Sequence, residues 1–99
     1  MYGTWGYLFS IDKNKLQFDV IHNYLSNESY WAQGISKDIL KRSIENSVCF
    51  GIYKDDKQVG FARVVTDKAT FGYLGDVFVL EPHRGMGLAK KLMEFILKH

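Results

Sequence analysis

The stretch Asp76-Val77-Phe78-Val79-Leu80-Glu81-Pro82-His83-Arg84-Gly85-Met86-Gly87-Leu88-Ala89 constrains this chain more than any other. An apolar run of strand character enters a turn that holds two glycines and leaves it as an amphipathic helix, so a sheet layer and a helix layer must meet here. Glycine has no Cβ to obstruct a tight turn. Successive N–H groups can therefore converge on one anion while the new helix adds the positive end of its dipole. Arg84 supplies a fixed positive charge, and the stretch reads as a phosphate cradle.

Two common phosphate loops do not fit. A dinucleotide fingerprint needs a further glycine three residues after Gly87, where this chain has Lys90. A P-loop needs Lys and then Ser or Thr after its last glycine, and here Gly87 is followed by Leu88 and Ala89. What remains is Arg84-x-x-Gly87-x-Ala89. This resembles the Gln/Arg-x-x-Gly-x-Gly/Ala signature of the GNAT superfamily, the GCN5-related N-acetyltransferases, and matches it at all three defining positions. The resemblance implies that Arg84, Gly85, Met86, Gly87, Leu88 and Ala89 bind the pyrophosphate of acetyl-coenzyme A, taken as co-substrate, with no metal required.

Upstream, Tyr7-Leu8-Phe9-Ser10-Ile11-Asp12 reads as a first strand behind an irregular lead-in. Asn14 with Gln17 three residues on has the form of a capping box, and Leu16, Val20, Ile21, Tyr24 and Leu25 recur at helical spacing, predicting a helix that ends near Ser26. Ser36 caps a second helix, with Asp38 in its first turn and a stripe of Ile39, Leu40, Ser43, Ile44 and Ser47.

Three antiparallel strands are predicted next, over 48–53, 58–66 and 70–80, with turns at 54–57 and 67–69. In the middle strand Val59, Phe61 and Val65 alternate with Gly60, Ala62 and Thr66, which places the bulky groups on one face. Arg63 falls on that bulky face and either snorkels to the sheet edge or pairs with Asp67 or Asp76, the pairing being favoured because an unpaired charge there is costly. Gly72 and Gly75 predict a bulge or a close approach in the last strand. The final helix is expected to bury Leu88, Ala89, Leu92, Phe95 and Ile96.

By the resemblance, the order β-α-α-β-β-β-α is that of the α/β (α+β) acyl-CoA N-acyltransferase fold, a mainly antiparallel mixed sheet flanked by helices. It implies a single partial N-acetyltransferase domain over 1–99. The usual domain continues into a strand, a helix and another strand, so the chain reads as C-terminally truncated relative to it. Without the next strand, the outer edge of the last strand is expected to recruit a partner, which predicts a homodimer. The pantetheine arm would lie beside Phe78 and Val79, and the segment between the first two helices would form an acceptor wall from Tyr30 and Trp31.

The implied reaction is attack of a primary amine, on a small molecule or a peptide, at the thioester carbonyl. An alkyl amine has a pKa near ~10.4 and must lose a proton near neutral pH. Asp76 and Glu28 are the candidate bases. The same residues also have purely structural readings: an ion pair of Asp76 with Arg63, and packing of Trp31 under the first helix. His22 and His83 receive no role, and Cys49, in a predicted strand, is read as inert. The alternative function is a coenzyme-A-binding or interaction domain without turnover.

Charge and cysteine content bound the remaining classes. The net charge of +2 is spread along the chain among acidic residues, which leaves no electrostatic footprint for nucleic acid or an anionic membrane. A lone cysteine cannot close an internal disulfide, and the start lacks a leader-like apolar run, so a cytoplasmic protein is expected. No apolar stretch approaches the ~20 residues of a membrane helix.

Overall fold

The computed structural model describes residues 2–4 and 6–98. Five strands form one sheet in sequence order: β1 (Tyr2–Thr4), β2 (Tyr7–Ser10), β3 (Val48–Lys54), β4 (Lys57–Thr66) and β5 (Gly72–Val79). All four pairings are antiparallel. β1 lies in the segment expected to be an irregular lead-in. It pairs Thr4 with Tyr7 and Tyr2 with Phe9, and its three residues are too few to carry a periodic signal.

Helices cover both faces. α1 (Phe18–Asn27) and α2 (Lys37–Glu45) bury Ile21, Tyr24, Leu25 and Leu40 against Cys49, Phe61 and Phe78. On the other face α3 (Leu88–Lys98) brings Leu88 and Leu92 against Phe9, Phe50, Ile52, Val59, Ala62 and Val79. Phe78 and Val79 thus point into opposite cores, as successive strand residues must. Among the described residues, no helix is long and apolar enough to cross a membrane.

The expected start of α1 is corrected. Asn14 lies in a short 3-10 turn, Lys13–Lys15, where Asp12 accepts from the Asn14 N–H at 2.9 Å. The helix starts at Phe18, after a cap at Gln17 that makes no side-chain capping bond. Instead Gln17 exchanges contacts with β4: its N–H donates to Gln58 Oε1 at 2.7 Å, and its own Oε1 accepts from the Gln58 N–H at 2.9 Å. Ser36 caps α2 as expected, accepting from the Ile39 N–H at 3.2 Å, while Ile39 itself faces outward. The β3–β4 turn is a two-residue hairpin with Asp55 and Asp56 at φ 51° and 66°, the left-handed conformations that match strand twist.

Two bulges change the facing of the strands. The register between β3 and β4 shifts at Ile52/Tyr53, leaving Val59 on the α3 face while Phe61 lies on the α1/α2 face. The expectation that Val59 and Phe61 share a face therefore fails, because one inserted residue reverses the alternation. The second shift, between Phe61 and Arg63, places an extra residue in β5 near Asp76, whose φ is 54°.

Candidate active site

The cradle sits where β5 ends and α3 begins. Gly85 and Gly87 hold φ of 81° and 77°, a region where a Cβ is strained. A 3-10 turn at Glu81–His83, with Pro82 inside it, carries the chain from strand to loop. The loop encloses a hollow of about 190 Å³ lined by Val79, His83, Arg84, Gly85, Gly87, Leu88 and Ala89. Ala89, expected in the core, is exposed on this side, so its small size serves the hollow rather than the packing.

The site fits a pyrophosphate. Among the described residues the backbone N–H groups from Gly85 to Lys90 have no hydrogen-bond acceptor, and the first helical bond of α3 runs from the Lys91 N–H to Gly87 O at 3.0 Å. Unpaired N–H groups at a helix start, beside a hollow, form an anion site. A larger hollow of about 580 Å³, lined by residues such as Lys13, Val48, Val64, Lys68 and Ile96, opens between the sheet and the far end of α3 and lacks this array of amides.

Arg84 does more than lend charge. Its Nε donates to Val79 O at 2.8 Å and an Nη donates to Tyr24 Oη at 3.0 Å. Leu80 N–H donates to Val59 O at 2.8 Å, so by the alternation of an antiparallel ladder the peptide groups of Val79 point away from β4. Arg84 therefore ties the outer edge of β5, beside Phe78 and Val79, to the cradle. Tyr24, read in sequence only as part of an apolar stripe, completes the tie. It is buried, and its ring stacks on Phe78 at 4.1 Å between centroids.

On its other side the loop is moored to β2. Tyr7 Oη lies 2.8 Å from His83 Nδ1 and 3.7 Å from Met86 Sδ, with the Tyr7 and His83 rings edge to face. His83, given no role in sequence, thus lines the hollow and anchors it.

The acceptor-side candidates converge only in part. Asp76 Oδ2 accepts from Arg63 Nε at 2.8 Å, the ion pair weighed above, and Arg63 Nη1 donates to Ser47 Oγ at 3.1 Å. Asp76 Oδ1 accepts from Trp31 Nε1 at 2.9 Å. Tyr30 is exposed and meets Trp31 edge to face at 5.4 Å. Glu28 is exposed at the C-cap of α1, and its side chain joins none of these contacts. Burial pushes the Cys49 thiol above its usual range, which disfavours a thiolate nucleophile. Among the described residues no cluster of His, Cys, Asp and Glu could hold a metal ion.

Comparison with known proteins agrees with this geometry. The model of the acetyltransferase (GNAT) family matches residues 18–99. A Gibberella zeae protein named as an acetyltransferase is 33% identical over 109 aligned positions, which take in 91% of this chain but only 62% of that protein. The crystal structure of a GNAT-family protein from Xanthomonas campestris pv. campestris superposes with a TM-score of 0.94 at 45% identity, over 98% of this chain and 68% of that one. A GNAT family acetyltransferase from Elizabethkingia anophelis, crystallised with acetyl-CoA bound, shares the fold alone: TM-score 0.68 at 7% identity, over 96% of this chain and 57% of its own. With the glycine cradle, the moored arginine and the matched family model in agreement, the chain belongs to the acetyltransferase (GNAT) family.

Proposed function

We propose that this chain binds acetyl-coenzyme A at the β5–α3 cradle and carries the coenzyme-binding part of an N-acetyltransferase acting on a primary amine. One observation carries the reading: the unpaired N–H groups from Gly85 to Lys90 surround a hollow next to Arg84, directly after the strand edge at Val79. The bound coenzyme supplies an acetyl thioester. The residues of this chain would hold its pyrophosphate through those amides and the Arg84 charge, and seat its arm beside Phe78 and Val79, along the outward N–H of Val79. A strand N–H at that edge would polarise the thioester carbonyl. The acceptor, on a small molecule or a peptide, would approach past Tyr30 and Trp31, with Glu28 or Asp76 receiving its proton directly or through water. A cytoplasmic location and self-association through the outer edge of β5 belong to the same reading. Light scattering across a concentration series tests the second.

A second reading, coenzyme binding without turnover, is favoured by the engagement of both Asp76 oxygens by Arg63 and Trp31. Calorimetry with acetyl-coenzyme A tests the cradle, and release of free coenzyme A over a panel of amines separates the two readings. Absence of binding in the native protein rejects both.

A further inference from the structure

Trp31 and Asp76 are far apart in sequence, yet Trp31 Nε1 donates to Asp76 Oδ1 at 2.9 Å while Arg63 Nε holds Oδ2 at 2.8 Å. With both oxygens already accepting and its charge matched by Arg63, the carboxylate is committed to its two donors. Its backbone is committed as well, at φ 54° in the bulge of β5, a conformation that Asp and Asn adopt more readily than other side chains.

What this device fixes is an indole that is 45% exposed. A large aromatic ring usually gains by folding down into a core, and Trp31 instead is pinned by its N–H with a ring surface left open. Tyr30 stands edge-on to it at 5.4 Å, and Tyr24 lies behind at 6.5 Å, stacked in turn on Phe78. A series of rings therefore runs from the exposed Tyr30 and Trp31 to the buried Tyr24 and Phe78, which back the open indole against the strand that would hold the thioester. A ring immobilised before binding can stack on a flat ligand without a further ordering cost.

We propose that Asp76 is a positioning residue which fixes Trp31 as the specificity wall of the acceptor site, and that the acceptor is an amine carried on a flat apolar body rather than a short aliphatic amine. This rests on the N-acetyltransferase reading above and narrows its substrate class. The role of Asp76 is then to hold the wall, and proton removal falls to another group or to water.

The test titrates the protein, saturated with coenzyme A so that no acetyl group can move, with phenethylamine and with n-butylamine, following heat and tryptophan fluorescence. Phenethylamine should bind about tenfold more tightly and change the emission of Trp31, identified by comparison with Trp31→Phe. Trp31→Ala should bring the two amines within about twofold of each other. Asp76→Asn, which tolerates the left-handed backbone but has one acceptor oxygen for the two donors, should weaken the preference, and Asp76→Ala should lose most of it. Asp76→Ala also strands Arg63 and can unfold, so Trp31→Phe provides the independent arm: it keeps a ring, lacks the N–H, and should lose most of the preference while leaving stability nearly unchanged. Equal affinities in the native protein, a preference that survives Trp31→Ala or Trp31→Phe, or a full preference in folded Asp76→Ala would each overturn the proposal. Coenzyme A binding is measured first in the same cell. If it fails, the acetyltransferase reading and this proposal fall together; if it holds and the amines are not distinguished, only this proposal falls.

Discussion

Arg84 and Tyr24, 60 positions apart in the chain, are joined by a hydrogen bond of 3.0 Å in which the guanidinium donates to the phenol oxygen. The same guanidinium caps Val79 O. The Arg84 guanidinium is thus held in place from α1.

Tyr24→Phe should lower acetyl-coenzyme A affinity by about three- to tenfold, because a hydrogen bond to a charged group contributes roughly 1.5–3 kcal/mol and Arg84 keeps its second contact. The Phe78 stacking survives, so the melting temperature should move little. Arg84→Ala removes both charge and tie and should cost more than about tenfold in affinity. Calorimetry on both variants, with a thermal melt, checks the order. Equal losses would mean that Tyr24 contributes all of the placement.

Gly85 and Gly87 should respond differently from ordinary loop residues. A Cβ on Gly85 meets nothing within 4 Å, so Gly85→Ala should cost only the strain of its φ of 81°, about 1 kcal/mol, seen as a melting shift of roughly 4–8 °C. Gly87→Val puts a branched side chain into the hollow at the first turn of α3. It should lower coenzyme affinity by about tenfold or more, since backbone approach to the phosphates is blocked.

Tyr53 should make the protein sensitive to alkali. Among the described residues its hydroxyl is buried with no partner, and burial, reinforced by Asp12 and Cys49, raises its pKa to about 12. The folded state therefore holds the phenol proton more tightly than the unfolded chain, whose tyrosines titrate near ~10. That contribution is fully present below about pH 10 and is lost as pH rises towards about 12; after allowance for solvent screening it amounts to about 1–2 kcal/mol. Tyr53→Phe should flatten this part of the stability profile and leave neutral-pH stability equal or higher, because an unsatisfied hydroxyl is removed. Chemical denaturation at a series of alkaline pH values measures it.

The clasp between Gln17 and Gln58 should be among the costlier polar contacts to break. Gln58 is buried, its Nε2 donates to Gly60 O at 3.0 Å, and its Oε1 serves the first N–H ahead of α1. Gln58→Leu leaves both backbone groups without a partner and should cost about 2–3 kcal/mol. Gln17→Ala loses the exposed Nε2 contact to Asp56 O and leaves the buried Gln58 N–H without its acceptor, and should cost about 1–2 kcal/mol. Denaturant melts on the two variants provide the comparison.

The amino-acid sequence alone determined the elements whose signals are local. Ser36 caps α2, the Asp55-Asp56 turn closes a hairpin, and the glycines of the cradle stand at left-handed positions, because capping, turn chemistry and the absence of a Cβ all act within a few residues. The family signature belongs to the same class, being one loop read in order. Tertiary structure alone decided which face Val59 takes, that Asp76 rather than Asp67 meets Arg63, that Gln17 and not Asn14 precedes α1, and that Tyr24 holds Arg84. Each depends on a residue more than ten positions away or on an inserted residue that reverses strand alternation. Asp67 instead turns its carboxylate to the N–H groups of Ala69, Thr70 and Phe71, which hold its pKa far below the usual carboxylate range. A local competitor thus captured one aspartate and left the other for the bulge, and only the packed chain settles that competition.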